Sequence, residues 1–361
     1  VRLNSEGAAP IKEELANIAA MKRADLLSTI YHLHNDVTST LFGCFVMADL
    51  KDSNVNILYL GQASLGMGDR DYYLENDENS TKIRNAYINY IETMMKLAGY
   101  KPKAAKQAAK NVLKIETEIA KVTMTREESR DMSRMYNIYT VDQLQKDFPS
   151  IKWAEYFVAR NLNGVDKACV TEPKALAKVS ELMATLKDQE LKDYMAFDVI
   201  TTASSYLSDD FVDANFEMFS HVMSGKTVQE PRWKRALGTP NNILGEAVGE
   251  LYVEKYFPAS SKEKMLKLVN NLKVALGEHI ASLDWMSDKT KVNALVKLNS
   301  FTVKIGYPDK WRDYSGIQID PEQSYWENVR RARAFESAYA LSKYGKPVDR
   351  DEWGMTPQTV N

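Results

Sequence analysis

Apolar residues return every three or four positions along most of this chain, and that period leaves little choice of backbone. In SSKEKMLKLVNNLKVALGEHIASLDWM, Val269, Leu272, Leu276, Ile280 and Leu283 make one stripe, as expected of a helix with one face against a core. Ser260 and Glu263 stand at capping-box spacing and predict where this helix starts. The same spacing links Ile83, Tyr87, Ile91, Met94 and Ala98, and again Leu176, Val179, Met183 and Leu186. The expected fold is mainly α. With 361 residues and 41.0 kDa, the chain has room for two lobes at roughly 100 to 200 residues per domain.

Strand signals are few. GCFVMADL and NVNILYL, separated by KDSN, read as one small β-hairpin near residues 44 to 60. Neither a βαβ alternation nor a repeat of fixed period is present, which argues against a doubly wound sheet or a solenoid. A formal net charge of -2, with 27% charged residues, offers nucleic acid or an anionic membrane surface no electrostatic purchase. Two cysteines far apart, Cys44 and Cys169, cannot make a disulfide framework and read as buried thiols.

The stretch LYLGQASLGMGDRDYYL, Leu58 to Leu74, is the first candidate for chemistry. A phosphate-binding loop needs Lys and Ser or Thr after its last glycine, but Gly66 is followed by Met67 and Gly68. In the dinucleotide pattern the third glycine position is held by Asp71, an acid that repels pyrophosphate. The glycines are therefore expected to permit a tight turn out of the hairpin, pinned by ionic hydrogen bonds from Arg70 and the nearby carboxylates.

Four histidines are present: His32, His34, His221 and His279. His32 and His34 are two apart on an expected helix and point to different faces, whereas a zinc pair needs the spacing of H-E-x-x-H. They read as structural. No serine sits in a G-x-S-x-G elbow, and the pairs Asp209 with Asp210 and Asp193 with Asp198 read as solvated faces. The residues alone make no complete active site.

Taken in order, however, several blocks resemble the neprilysin and endothelin-converting enzyme family of zinc metallopeptidases. Gln62, Leu65, Gly66, Arg70, Asp71, Tyr72 and Tyr73 resemble its glutamine, Gly-Leu-Gly turn and Arg-Asp-Tyr-Tyr, with Ser64 at the first family glycine. MTREESRDMSRMYNIYTVDQLQKDFPSIKWAEYF, RWKRAL, AVGELYVEKYFPASSKEKM and LDWMSDKTKVNALVKLNSFTVKIGYPD resemble further family blocks. The resemblance runs from near the start to Asn361.

It implies the large helical lobe of a two-lobed zinc endopeptidase that cleaves short peptides. Residues 1–310 would enclose substrate and 311–361 would lead into the catalytic lobe, cut before the zinc-binding helix. One zinc ion, its H-E-x-x-H ligands and the general base would come from the missing C-terminal part, the chain's own partner. DEWGMTPQTVN resembles the approach to the family's Asn-Ala-x-Tyr strand, making Asn361 the substrate-binding asparagine. The chain by itself would be inactive and would hold no metal. The scarcity of cysteines resembles bacterial members, which implies a periplasmic, lipid-anchored or secreted protein rather than a cytoplasmic one. A non-catalytic helical scaffold or peptide-binding module is the alternative; a carbohydrate-binding helical domain has only scattered aromatics in its favour.

Overall fold

The periodic stripes do become helices in the computed structural model, which describes residues 2–359. The chain forms two units, Val1–Gln229 with Ile317–Val348, and Glu230–Gly316 with Asp349–Asn361. Asn361 lies outside the described residues.

In the first unit the helices that matter below are α1 (Lys12–Ala20), α2 (Leu26–Asp36), α3 (Glu78–Leu97), α4 (Pro102–Ala120), α5 (Trp153–Ala159), α6 (Pro173–Thr185), α7 (Asp188–Ala203) and α8 (Tyr325–Leu341). Their starts follow from local chemistry. Asp77 accepts a hydrogen bond from the Ser80 N–H at 3.0 Å ahead of α3, and Ser324 accepts one from the Glu327 N–H at 3.1 Å ahead of α8. Pro102 and Pro173 open α4 and α6, where a missing N–H costs nothing. The stripe Ile83, Tyr87, Ile91 and Met94 is buried, as are Leu176, Val179, Met183 and Leu186.

The hairpin is present as β1 (Phe42–Ala48) and β2 (Asn56–Gln62), paired antiparallel with Phe42 opposite Gln62 and Ala48 opposite Asn56. It is part of a larger sheet. Two four-residue strands, β3 (Asn137–Thr140) and β4 (Lys167–Val170), extend it in the order β1-β2-β4-β3. β4 runs parallel to β2, through Tyr59 opposite Cys169, and antiparallel to β3. Runs as short as NIYT and KACV carry no period of their own; KACV is a strand because β2 offers it an edge, and NIYT because β4 then offers the next one.

The last helix closes this unit. Trp326 of α8 is fully buried and stacks on Tyr206 at 5.7 Å. One turn on, Arg330 meets three carboxylates: Glu14 of α1, Asp36 of α2 at 2.9 Å, and Glu327 at 3.4 Å. Glu14 is itself buried. Arg160, at the end of α5, donates to the carbonyl of His34, to Asn35 at 3.0 Å and to Ser337 of α8 at 2.9 Å.

In the second unit helices span Arg232–Ile243, Gly245–Tyr256, Ala259–Ser282 and Asp288–Asn299. The expected capping box is not formed. Helix Ala259–Ser282 begins after Pro258, which places Ser260 inside the first turn and too late to cap it. Its stripe is only half covered: Val269 and Ile280 are partly buried, but Leu272 is 60% exposed and Leu276 is 48% exposed. Close packing occurs elsewhere in this unit. A Cβ on Gly249 would lie 2.7 Å from the Pro357 ring, and Gly306, at φ +75°, sits against Phe257. Lys262 ties the adjoining turn by donating to the Tyr307 carbonyl and to Asp309, each at 2.7 Å.

Two outcomes follow. Replacing Arg330→Ala leaves Glu14 and Asp36 without their cation, and should lower the free energy of unfolding by about 3 to 5 kcal/mol in a denaturant titration. With Leu272, Leu276, Leu251 and Trp233 exposed in the second unit, the 361-residue chain should also enhance the fluorescence of a hydrophobic dye under native conditions; a chain that binds none would contradict these exposed faces.

Candidate functional site

The glycine-containing loop after β2 owes its shape to a carboxylate that sequence reading did not single out. Glu116 lies on the apolar face of α4, among Val112, Ile115 and Ile119, and is 2% exposed. Its Oε1 accepts from the Gly66 N–H at 3.1 Å and the Tyr87 hydroxyl at 3.1 Å; its Oε2 accepts from the Tyr73 hydroxyl at 2.8 Å. The Met67 N–H donates in turn to Tyr73 at 2.9 Å. A Cβ at position 66 would fall 1.8 Å from the Tyr87 oxygen. Glycine is thus required by close approach rather than by a left-handed turn. Gly68, at φ +79°, supplies that turn.

Arg70 and a neighbouring carboxylate do pin the loop, each through a partner outside it. Arg70 donates to the Thr123 carbonyl at 2.7 Å, and the ion pair of this loop is Asp69 with Arg126. Gln62 donates to Glu172 at 2.7 Å, whose other oxygen accepts from the Met124 N–H at 2.7 Å. The loop is therefore sewn to residues 123–126, at the start of the next sequence block of the resemblance.

Beside this loop, within the first unit, lies a cavity of about 620 Å³. Its wall includes Thr38 and Ser39, Gly43 to Phe45 of β1, Gly61 to Gly66, Tyr87 and Tyr90 of α3, Glu116, Asp198 and Thr201 of α7, and Arg333 of α8. A polar cavity with convergent titratable groups is a candidate binding site. Burial pushes the Glu116 carboxyl up to about 7, its three hydrogen bonds only partly opposing the rise. Asp198, which accepts from the Thr40 hydroxyl, is pushed up to about 8, again mainly by burial. At neutral pH the cavity thus holds protonated or half-protonated acids beside one guanidinium.

The acid pairs read as solvated faces divide. Asp193 is buried, accepting from Asn111 at 2.6 Å and Gln189 at 2.7 Å, and Asp198 lines the cavity. For Asp193 a signal was available, since it stands three and four residues before the apolar Ala196 and Phe197 on one helix; Asp198, adjacent to Phe197, has no such spacing. Asp209 and Asp210 occupy the first turn of a short helix, where acids suit the dipole. Of the histidines, His32 is exposed and His34 buried. His34 Nε2 lies 2.9 Å from the Thr40 carbonyl and Nδ1 lies 3.1 Å from the Tyr156 hydroxyl. Desolvation lowers its pKa to about 4, so the ring is neutral, donating to Thr40 and accepting from Tyr156. His221 pairs with Glu217 at 3.0 Å, and His279 is exposed on helix Ala259–Ser282. Cys169 is buried, but Cys44 is only half-buried and both thiols are free. Among the described residues no three His, Cys, Asp or Glu side chains converge as a metal site would require, and no helix is long and apolar enough to cross a membrane.

The profile described as peptidase family M13 matches residues 1–308. The chain belongs to peptidase family M13. This M13 chain is 33% identical to endothelin-converting enzyme 1 of Cavia porcellus over 340 residues, covering 90% of its own length and 44% of the relative's. It is 29% identical to human endothelin-converting enzyme-like 1, covering 97% of itself and 46% of that protein. The M13 chain thus spans less than half the length of these relatives. Among solved structures, the zinc metalloprotease Zmp1 of Mycobacterium tuberculosis in an open state matches with a TM-score of 0.91 at 32% identity, over 99% of this chain and 56% of that one. PepO from Lactobacillus rhamnosis shares the fold, with a TM-score of 0.86 at 20% identity over 99% of this chain and 57% of that one. The mainly helical architecture is that of the helical lobe of M13 peptidases.

Glu116 also sets a pH dependence. Its carboxyl holds a proton more tightly folded, to about pH 7, than unfolded, near 4.5. The stability from this protonation is complete below about pH 4.5 and is lost as pH rises to about 7. Unfolding free energy should therefore decline across this window, by at most about 1.4 kcal/mol per pH unit from this group. In Glu116→Gln that part of the slope should vanish, as measured by denaturant titrations at pH 4.5 to 7.5; an unchanged slope would mean that Glu116 is not the titrating group.

Proposed function

We propose that the parent protein is a neprilysin-like zinc endopeptidase acting on short peptides, and that these 361 residues are its non-catalytic N-terminal portion. The observation that carries this reading is the family match over residues 1–308, joined to the 0.91 TM-score likeness to a protein named a zinc metalloprotease. Residues 1–310 act as the substrate-enclosing lobe and 311–361 as the passage to the catalytic lobe. Enclosure selects by size: a flexible peptide enters where a folded protein does not.

The described residues do not fit a zinc site, because no three suitable ligands converge. In this proposal the ion is held by an H-E-x-x-H motif outside residues 1–361. What this chain contributes to the reaction is positioning. Asn361, on its resemblance to the first residue of the Asn-Ala-x-Tyr strand, offers an amide donor and acceptor to an extended substrate backbone.

The full-length protein should cleave a short quenched fluorescent peptide and leave the same sequence intact inside a folded domain, with activity lost to a chelator and restored by zinc. No cleavage of any short peptide by zinc-loaded protein would overturn the reading. Asn361→Ala should lower kcat/KM roughly 5-fold to 150-fold, the effect of about 1 to 3 kcal/mol for an unmade buried hydrogen bond. Zinc content on the same preparations should stay constant. Wild-type kinetics would reduce Asn361 to a turn residue, and loss of zinc would assign it to the metal site.

A further inference from the structure

Strand β1 is the outermost strand of its sheet, and its register shows which groups it leaves over. The Ala63 N–H donates to the Leu41 carbonyl at 2.8 Å and the Asp49 N–H to the Val55 carbonyl at 2.9 Å. These bonds bracket the hairpin, so the odd-numbered pairs between them, from Gly43 with Gly61 to Met47 with Ile57, are the hydrogen-bonded ones. The even-numbered residues of each strand turn their N–H and C=O outward. On β2 this is met by β4, for the Leu60 carbonyl accepts from the Thr171 N–H at 2.9 Å. On β1 the corresponding groups belong to Cys44 and Val46. Among the described residues no hydrogen bond reaches the main chain of either.

Exposed edges are ordinarily blocked by charge, proline, a bulge or a covering element; α8 packs near β1, but Cys44 and Val46 remain partly exposed. FGCFVMA contains neither charge nor proline, and its pairing with β2 runs without a bulge. Phe45 is 47% exposed, lying flat against Tyr59 with ring centres 5.2 Å apart, and Met47 is also exposed. Gly43, Cys44 and Phe45 also belong to the wall of the 620 Å³ cavity, together with Arg333 of α8.

We propose that the open edge of β1 is a docking strand for one extended peptide segment, which pairs with the main chain of Cys44 and Val46 and runs into the adjoining cavity. Donors and acceptors alternating at two-residue spacing are matched by polypeptide backbone in extended form. The cavity commits the occupant further. A space of about 620 Å³ is of small-ligand size, which admits a few residues of a single strand and excludes the edge of a second folded sheet. Phe45 and Met47 favour apolar side chains on that segment. Naming the occupant as substrate rests on the peptidase reading; the docking edge itself does not.

The test uses the full-length protein and a fluorescently labelled, uncharged nonapeptide rich in Val and Thr, with a second copy N-methylated at every backbone amide, so that neither edge can donate. Binding is read by stopped-flow anisotropy before turnover. The unmodified peptide should bind at least tenfold more tightly than the N-methylated one. Val46→Pro removes an N–H that the β1–β2 ladder does not use, and should weaken the unmodified peptide at least tenfold with an unchanged melting temperature. Hydrogen exchange at the Cys44 and Val46 amides should be fast in the free protein and slow with peptide bound. Equal binding of both peptides overturns the proposal without any variant having to fold. Amides already protected in the free protein overturn it in favour of cover by the chain's own remainder, and a dimer lost in Val46→Pro overturns it in favour of a second copy. Cleavage of the nonapeptide is scored separately: docking as expected without cleavage supports the edge while sinking the peptidase reading, and cleavage with binding indifferent to both changes does the reverse.

Discussion

A single guanidinium holds the first unit closed. Arg330 bonds to Glu14, Asp36 and Glu327, drawing α8 onto α1 and α2. Removing such charges from water costs nearly as much as their attraction returns, so the network is weak evidence for stability. What it supplies is register. A slip of one residue along α8 that brought Val329 to this place would leave Glu14 buried against no cation, and a slip in either direction would displace Trp326 from its stack on Tyr206. The same register puts Ser337 within reach of Arg160 and Arg333 on the cavity wall. The candidate site therefore inherits its geometry from a contact that takes no part in it.

The sequence blocks that carry the family likeness make sense as contacts. Gln62 and Asp69, from the glycine-containing block, reach Glu172 and Arg126, and Glu172 also accepts from Met124. Segments about 60 and 110 residues apart in the chain are thus held as one piece, as charge-assisted hydrogen bonds between short loops allow. The glycines belong to the same logic. Gly66 makes room for the Tyr87 hydroxyl, and the Tyr87 hydroxyl satisfies the carboxylate that holds Gly66.

Helices and hairpin were legible because their periods are long enough to read. The sheet's outer half was not, because β3 and β4 are four residues each and their pairing is set by partners 33 residues apart at one end. The half-exposed stripe around Leu272 illustrates the converse: period predicts which face is apolar, while coverage depends on what is available to pack against it. Glu116 was legible in principle, being a carboxylate four residues after Val112 on a stripe of otherwise apolar positions. What no local pattern contained was its set of partners, drawn from positions 66, 73 and 87. The boundary of the two units was equally silent, since it falls in irregular stretches, such as that between the helix ending at Asn299 and α8, rather than at a change of composition.

The separation of Glu14 from Arg330 along the chain has a consequence for how the protein is made. The two lie 316 residues apart, with residues 230–316 given over to another unit. At ribosomal speeds of 5 to 20 residues per second, α1 and α2 emerge roughly 15 to 60 s before their counter-ion. Closing so long a loop costs little more entropy than closing one half its length, so the delay is one of supply. For that interval the nascent first unit has both its acids and the hollow that Trp326 will fill without α8. Its opening helices must therefore wait for a strap that the ribosome delivers only after residues 230–316, the larger part of a second unit, have been made.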